Sequence, residues 1–107
     1  MVVSSSKVCA SLKPTGPVIG LFPEQAYGLQ YVELLPGDLF FAFTDGAPDA
    51  LDAAGDCFGE ERLVSLLSTD VSAEALLHCI ADQLNGHIGD ARQYDDVTML
   101  AVRRLMN

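Results

Sequence analysis

Asp38-Leu39-Phe40-Phe41-Ala42-Phe43-Thr44-Asp45-Gly46 is the stretch from which the fold can be read. A short, Phe-rich apolar run between turn residues reads as a strand buried on both faces. Its C-terminal end carries Asp45 out of the core to a solvent-facing rim. Gly46 removes the next side chain, so the backbone can turn sharply and another group can approach closely. A carboxylate held at the end of a rigid strand suits a hard-metal site, because a loose loop would not keep the ligand geometry.

Working outward, Leu35-Pro36-Gly37-Asp38 places Pro and Gly at the two central positions of a type II turn. The preceding stretch, Tyr27 to Leu34, alternates imperfectly and reads as a strand, so the turn predicts an antiparallel hairpin. Pro17 to Leu21 reads as a short strand or loop edge. Residues 1–16 are small and polar and read as an irregular N-terminal segment, with the domain itself running over 17–107. After Gly46, Pro48 suits the first turn of a short helix over Ala47 to Asp52. Gly59 to Leu67 starts with Glu60 and Glu61, favourable to a helix dipole, and carries Leu63, Leu66 and Leu67 on one stripe. Ser72 caps a longer helix with Ala73, Leu76, Leu77, Ile80 and Leu84 at helical spacing, ended by Gly86 and Gly89. Val97 to Val102 is a second strand apolar on both faces. The fold class expected is α+β, an antiparallel sheet flanked by helices.

Composition sets the outer limits. The chain has 107 residues, half of them hydrophobic, which suits one packed core. No apolar run approaches the roughly 18–20 residues needed to cross a bilayer, so no membrane span is expected. The start lacks the pattern of a signal peptide. Three cysteines, Cys9, Cys57 and Cys79, show no paired spacing, which points to a reducing cytoplasm and away from zinc. Six basic residues against 15 acidic ones give a formal charge of −9. That charge repels nucleic acid and anionic membrane; it suits a protein that collects divalent cations or one whose partner is basic, and it equally serves simply to keep the chain soluble.

The last strand is entered through Asp95-Asp96-Val97-Thr98. If the two apolar strands are antiparallel neighbours, the end of one and the start of the other share a rim, and Asp45 faces Asp95 or Asp96. Carboxylates brought together repel unless a cation lies between them. Oxygen ligands on rigid strands favour magnesium or manganese over zinc or copper. Acids at strand ends also serve simply as turn formers, and that alternative stays open on these residues alone. Asp38 reads as a turn residue. Asp49, Asp52 and Asp56 lack the Gly and closing Glu of a calcium loop. His78, His87 and the cysteines carry no catalytic pattern, and Cys57 has no basic sequence neighbour to activate a thiol.

Leu-Pro-Gly-Asp, Phe-Thr-Asp-Gly, Cys57-Phe58-Gly59-Glu60-Glu61-Arg62-Leu63 and Asp95-Asp96-Val97-Thr98 follow in order at suitable gaps. Over about residues 17 to 104 the chain resembles the C-terminal half of the SpoIIE/RsbU-type serine phosphatases, the bacterial branch of the metal-dependent PP2C-like family. The resemblance implies part of a PP2C-like β-sandwich. It also implies hydrolysis of phosphoserine or phosphothreonine with two Mn²⁺ or Mg²⁺ ions that activate a bridging water and clamp phosphoryl oxygens.

Carried over residue by residue, Asp45 and Asp95 match metal ligands, Asp96 a supporting or substituting position, and Gly46 the close-approach residue. No single side chain is marked as a catalytic acid, base or nucleophile. The typical substrate would be a phosphorylated protein of the anti-sigma-factor-antagonist type. The family's N-terminal half supplies further acidic ligands, without a counterpart before Pro17, so the chain is expected to hold part of a site. Asp49-Ala50 departs mildly from the family's longer acid followed by Ala. A catalytically silent interaction module on the same fold is the alternative. A receiver domain is excluded, because Lys7 and Lys13 are the only lysines and none lies late in the chain. An uncovered sheet face and edge predict a symmetric homodimer.

Overall fold

The computed structural model describes residues 1–16, 19–91 and 96–106. The order of elements is β1 (Val2–Ser4), β2 (Lys7–Ala10), β3 (Leu39–Phe43), α1 (Glu60–Ser65), α2 (Ala73–Ile88) and β4 (Met99–Arg103). The strands form one antiparallel sheet in the order β2-β1-β3-β4. The expected α+β class, an antiparallel sheet with helices, is what the chain forms.

The core lies between one face of the sheet and the two helices. Leu39 and Phe41 of β3 are fully buried against Leu63 of α1 and against Leu76, Ile80 and Leu84 of α2. Each such side chain contributes roughly 1.5–3 kcal/mol by leaving water. Phe43 packs on this cluster and stacks with Phe41, ring centroids 5.7 Å apart. The strands are not buried on both faces as expected. Burial alternates along β4, and Leu100 and Val102 are 54% and 45% exposed. Among the described residues the helices cover one side of the sheet, and the alternate side chains of β4 stay open.

Residues 1–16, expected to be irregular, contain β1 and β2. Val2 and Val3 are buried and pair with Phe40 and Leu39. The expected strand over Tyr27 to Leu34 does not form, and Leu29 and Tyr31 stand 81% and 86% exposed. The turn after it does form, with Asp38 N–H donating to Leu35 C=O at 2.9 Å and Gly37 at φ 87°. β1 and β4 flank β3 on its two sides, so a strand entering through the turn has no edge of β3 to join. Ile19 to Leu21 is likewise not a strand, while Pro17 and Val18 lie outside the described residues.

The segment Ala47 to Asp52 makes one turn, not a helix. Asp49 N–H bonds Asp45 C=O at 2.9 Å, but Phe58 and Gly59 then donate back to Ala50 and Pro48, each at 2.8 Å, and hold the chain in a loop. α2 starts as predicted, with Ser72 Oγ accepting from Ala75 N–H at 3.1 Å. It runs through Gly86 and closes at Gly89, whose N–H bonds Asn85 C=O. One exposed helical glycine costs about 1 kcal/mol, too little to stop a helix anchored by three buried leucine or isoleucine side chains.

Candidate functional site

β3 and β4 pair in register from Leu39↔Arg103 to Phe43↔Met99. That register carries past both strands: Thr44 N–H donates to Thr98 C=O at 3.0 Å. Thr98 N–H then donates to Thr44 Oγ1 at 3.0 Å, and Thr44 Oγ1 lies 3.3 Å from Asp96 C=O. One residue on from Asp45, Gly46 is buried with its backbone against that of Asp96. A Cβ on Gly46 would collide with Asp96 O and come within 2.8 Å of its carbonyl carbon. Glycine is therefore required here by close approach.

Three of the four site residues are thus described at one rim. Asp45 is exposed at the tip of β3, Gly46 lies beneath it, and Asp96 stands exposed on the facing segment. The fourth, Asp95, lies outside the described residues. Asp45 also borders a cavity of about 370 Å³ shared with Ser11, Lys13, Phe43 and Glu60. Glu60, read from sequence only as a partner of the helix dipole, is therefore on the same side as Asp45. In kind, these oxygen donors suit Mg²⁺ or Mn²⁺. In number they do not make a site for two ions, since no group of three His, Cys, Asp or Glu side chains that could hold a metal converges among the described residues.

The residues set aside in the sequence have structural work or none. Asp38 is buried and its Oδ2 accepts Leu35 N–H at 3.1 Å, closing the turn. Asp52 Oδ1 accepts the N–H groups of Ala54 and Asp56, both at 2.9 Å. The bond from Asp56, followed by those from Ala54 and Gly55 and the nearness of His87, holds its carboxyl below the usual aspartate range. His87 stands at the end of α2 with Nε2 3.1 Å from Ala50 C=O and 3.0 Å from Asp56 C=O. It packs edge-on to Phe58, whose ring also carries Arg62 at 4.3 Å. This pins the loop that follows Asp45, a role that sequence spacing could not reveal. His78 is exposed beside Glu74, and the three cysteines are free and exposed. Thr44 is the residue sequence reasoning missed; the available signal was a threonine in each of the two acid-bearing motifs.

Among known proteins, IcfG of Synechocystis is 35% identical to this chain over 104 residues, covering 96% of the chain and 16% of IcfG. The solved SiaA-PP2C domain of Pseudomonas aeruginosa superposes with a TM-score of 0.66 at 28% identity, covering 75% of this chain and 34% of that one. The chain thus spans a minor part of each relative. Its sheet and helices correspond to part of a phosphatase-type fold. The family described as Stage II sporulation protein E (SpoIIE) matches residues 1–105, and the chain belongs to that family.

Proposed function

We propose that this chain is the C-terminal part of a protein serine/threonine phosphatase dependent on two Mn²⁺ or Mg²⁺ ions. In this reading Asp45 and Asp95 are metal ligands, Asp96 supports or substitutes for them, and Gly46 lets the two strand tips close. The observation that carries it is the joining of those tips, through Thr44, Gly46 and Asp96, at the two motifs where the acids stand. The remaining ligands would come from sequence outside this chain, because the described carboxylates are too few. The substrate is a phosphorylated protein, of the anti-sigma-antagonist class in bacterial signalling, and the location is the cytoplasm. The excess of acid argues against nucleic acid as a partner. Among the described residues no helix is long and apolar enough to cross a membrane.

The test is Asp45→Asn and Asp95→Asn in the complete protein, assayed on a phosphoserine protein with Mn²⁺. Both variants should lose metal-dependent hydrolysis. Wild-type rates in both would refute the assignment.

A second reading rests on the same shortage of ligands: the fold is kept as a silent interaction module. It requires that the complete protein give no hydrolysis even at high manganese, and metal-dependent turnover by a pure sample would reject it. For the chain by itself we propose a symmetric dimer through the open β4 edge and the exposed Leu100 and Val102. Sedimentation should show a dimer that Val102→Lys converts to monomer, and a monomer at high concentration would count against it.

A further inference from the structure

In an antiparallel ladder, the two residues of a hydrogen-bonded pair exchange both main-chain bonds. Thr44 and Thr98 form such a pair, but only half of the exchange is main chain. Thr44 N–H donates to Thr98 C=O at 3.0 Å. The return bond, from Thr98 N–H, goes to the Thr44 hydroxyl oxygen and not to the Thr44 carbonyl. That carbonyl turns away and accepts Ala47 N–H at 3.1 Å. The bond closes a turn whose two central residues are Asp45 and Gly46. The hydroxyl proton is left free to donate to Asp96 C=O at 3.3 Å or Thr98 C=O at 3.5 Å.

We infer that Thr44 is a positioning residue for the proposed phosphatase site: its hydroxyl stands in for a main-chain carbonyl in the β3–β4 ladder, and this sets where Asp45 and the Asp96 segment lie. The inference rests on the proposed phosphatase reading for its functional part. The physical reason is one of accounting for acceptors. A carbonyl that stayed in the ladder would leave Ala47 N–H, in a buried residue, without its partner. A carbonyl that left with no hydroxyl to replace it would leave Thr98 N–H, on an exposed residue, to water and let the segment after Asp96 part from β3. One side-chain oxygen allows the turn and the ladder to coexist. A serine can do this and a valine of the same shape cannot. The Thr44 hydroxyl accepts from Thr98 N–H and faces the Asp96 and Thr98 carbonyls, so it acts through the placement of its neighbours.

The experiment compares Thr44→Val and Thr44→Ser with wild type in the complete protein, reading amide hydrogen exchange at Thr98 and Ala47 and the Mn²⁺ concentration for half-maximal turnover. Thr44→Val should speed exchange at Thr98 by several-fold, up to about tenfold, and raise the Mn²⁺ midpoint by a similar factor. Thr44→Ser should stay within about twofold of wild type on both, given one retained hydroxyl. Wild-type exchange at Thr98 in Thr44→Val overturns the inference. So does a Thr44→Ser protein as impaired as Thr44→Val, which would assign the effect to the methyl group. If wild type itself shows no Mn²⁺-dependent turnover, the phosphatase reading fails and the positioning role for that site fails with it. The Thr98 exchange result then still decides whether the hydroxyl holds the ladder.

Discussion

Gly46→Ala tests the joining of the strand tips most directly. The added methyl would overlap Asp96 O, lie 2.8 Å from the Asp96 carbonyl carbon and 3.4 Å from Val97 Cα. All three are backbone atoms, so no side chain can swing aside. Relief requires the Asp96–Val97 segment to move by about 1 Å, given a normal carbon–carbon separation of roughly 3.5–4 Å. Overpacking of this kind costs about 1–3 kcal/mol. Gly46 is not at positive φ, so alanine also gains about 0.4–1 kcal/mol by restricting the unfolded chain. The net expectation is a destabilisation of up to roughly 2.5 kcal/mol. It should be accompanied by loss of the Thr44–Thr98 bonds, which lie immediately beside the collision. Urea unfolding gives the first quantity and amide exchange at Thr98 the second. A variant as stable as wild type with unchanged Thr98 exchange would mean that the tips are not in contact, and the shared rim would be lost with them.

Phe41→Ala removes a ring that is fully enclosed between sheet and helices, and should lower stability by about 3–5 kcal/mol in urea unfolding. A loss below about 1 kcal/mol, the size of an ordinary surface change, would place the core elsewhere. Ser72→Ala deletes the acceptor for Ala75 N–H at the start of α2 and should cost about 1 kcal/mol, with Ser72→Asp restoring most of it. Failure of aspartate to restore stability would deny the cap. Asp52 has a folded carboxyl held below its usual value, mainly by Asp56 N–H. Its contribution is therefore complete above the unfolded value of about 3.9 and disappears as pH falls through the lower folded value. The Ala54 and Asp56 amide resonances should titrate with a midpoint below about 3.9, and a midpoint above it would remove the carboxylate from the loop.

Local signals proved reliable where one element satisfies itself. The Ser72 cap and the four-residue spacing of Leu76, Ile80 and Leu84 specify α2 without reference to anything else. Pro36-Gly37 likewise specifies its turn. Strands are different, because alternation states only that a segment could pair, while pairing needs a vacant neighbour. Tyr27 to Leu34 had the pattern and no vacancy beside β3, which its turn leads into. Val2–Ser4 had a vacancy beside β3, and Lys7–Ala10 one beside β1, but both had little pattern, being joined by a serine run that reads as loop. In fact Ser5 and Ser6 take φ of 50° and 60°, the left-handed region that a two-residue hairpin turn needs and that seldom falls to serine. A glycine there would have announced the hairpin.

The site divides along the same line. Asp45 and Gly46 are legible because a strand end and a tight turn are written in adjacent residues. The contribution of Thr44 is not, since it depends on which of two acceptors a partner 54 residues away will use. That choice links the two halves of the rim. A threonine hydroxyl in the ladder releases one carbonyl, the released carbonyl closes the turn, and the turn presents Asp45 while Gly46 admits the backbone of Asp96. Each step requires the one before it. The two acid-bearing motifs, distant in sequence, are therefore parts of one backbone arrangement, and a change at Thr44 or Gly46 should reach both acids without altering either.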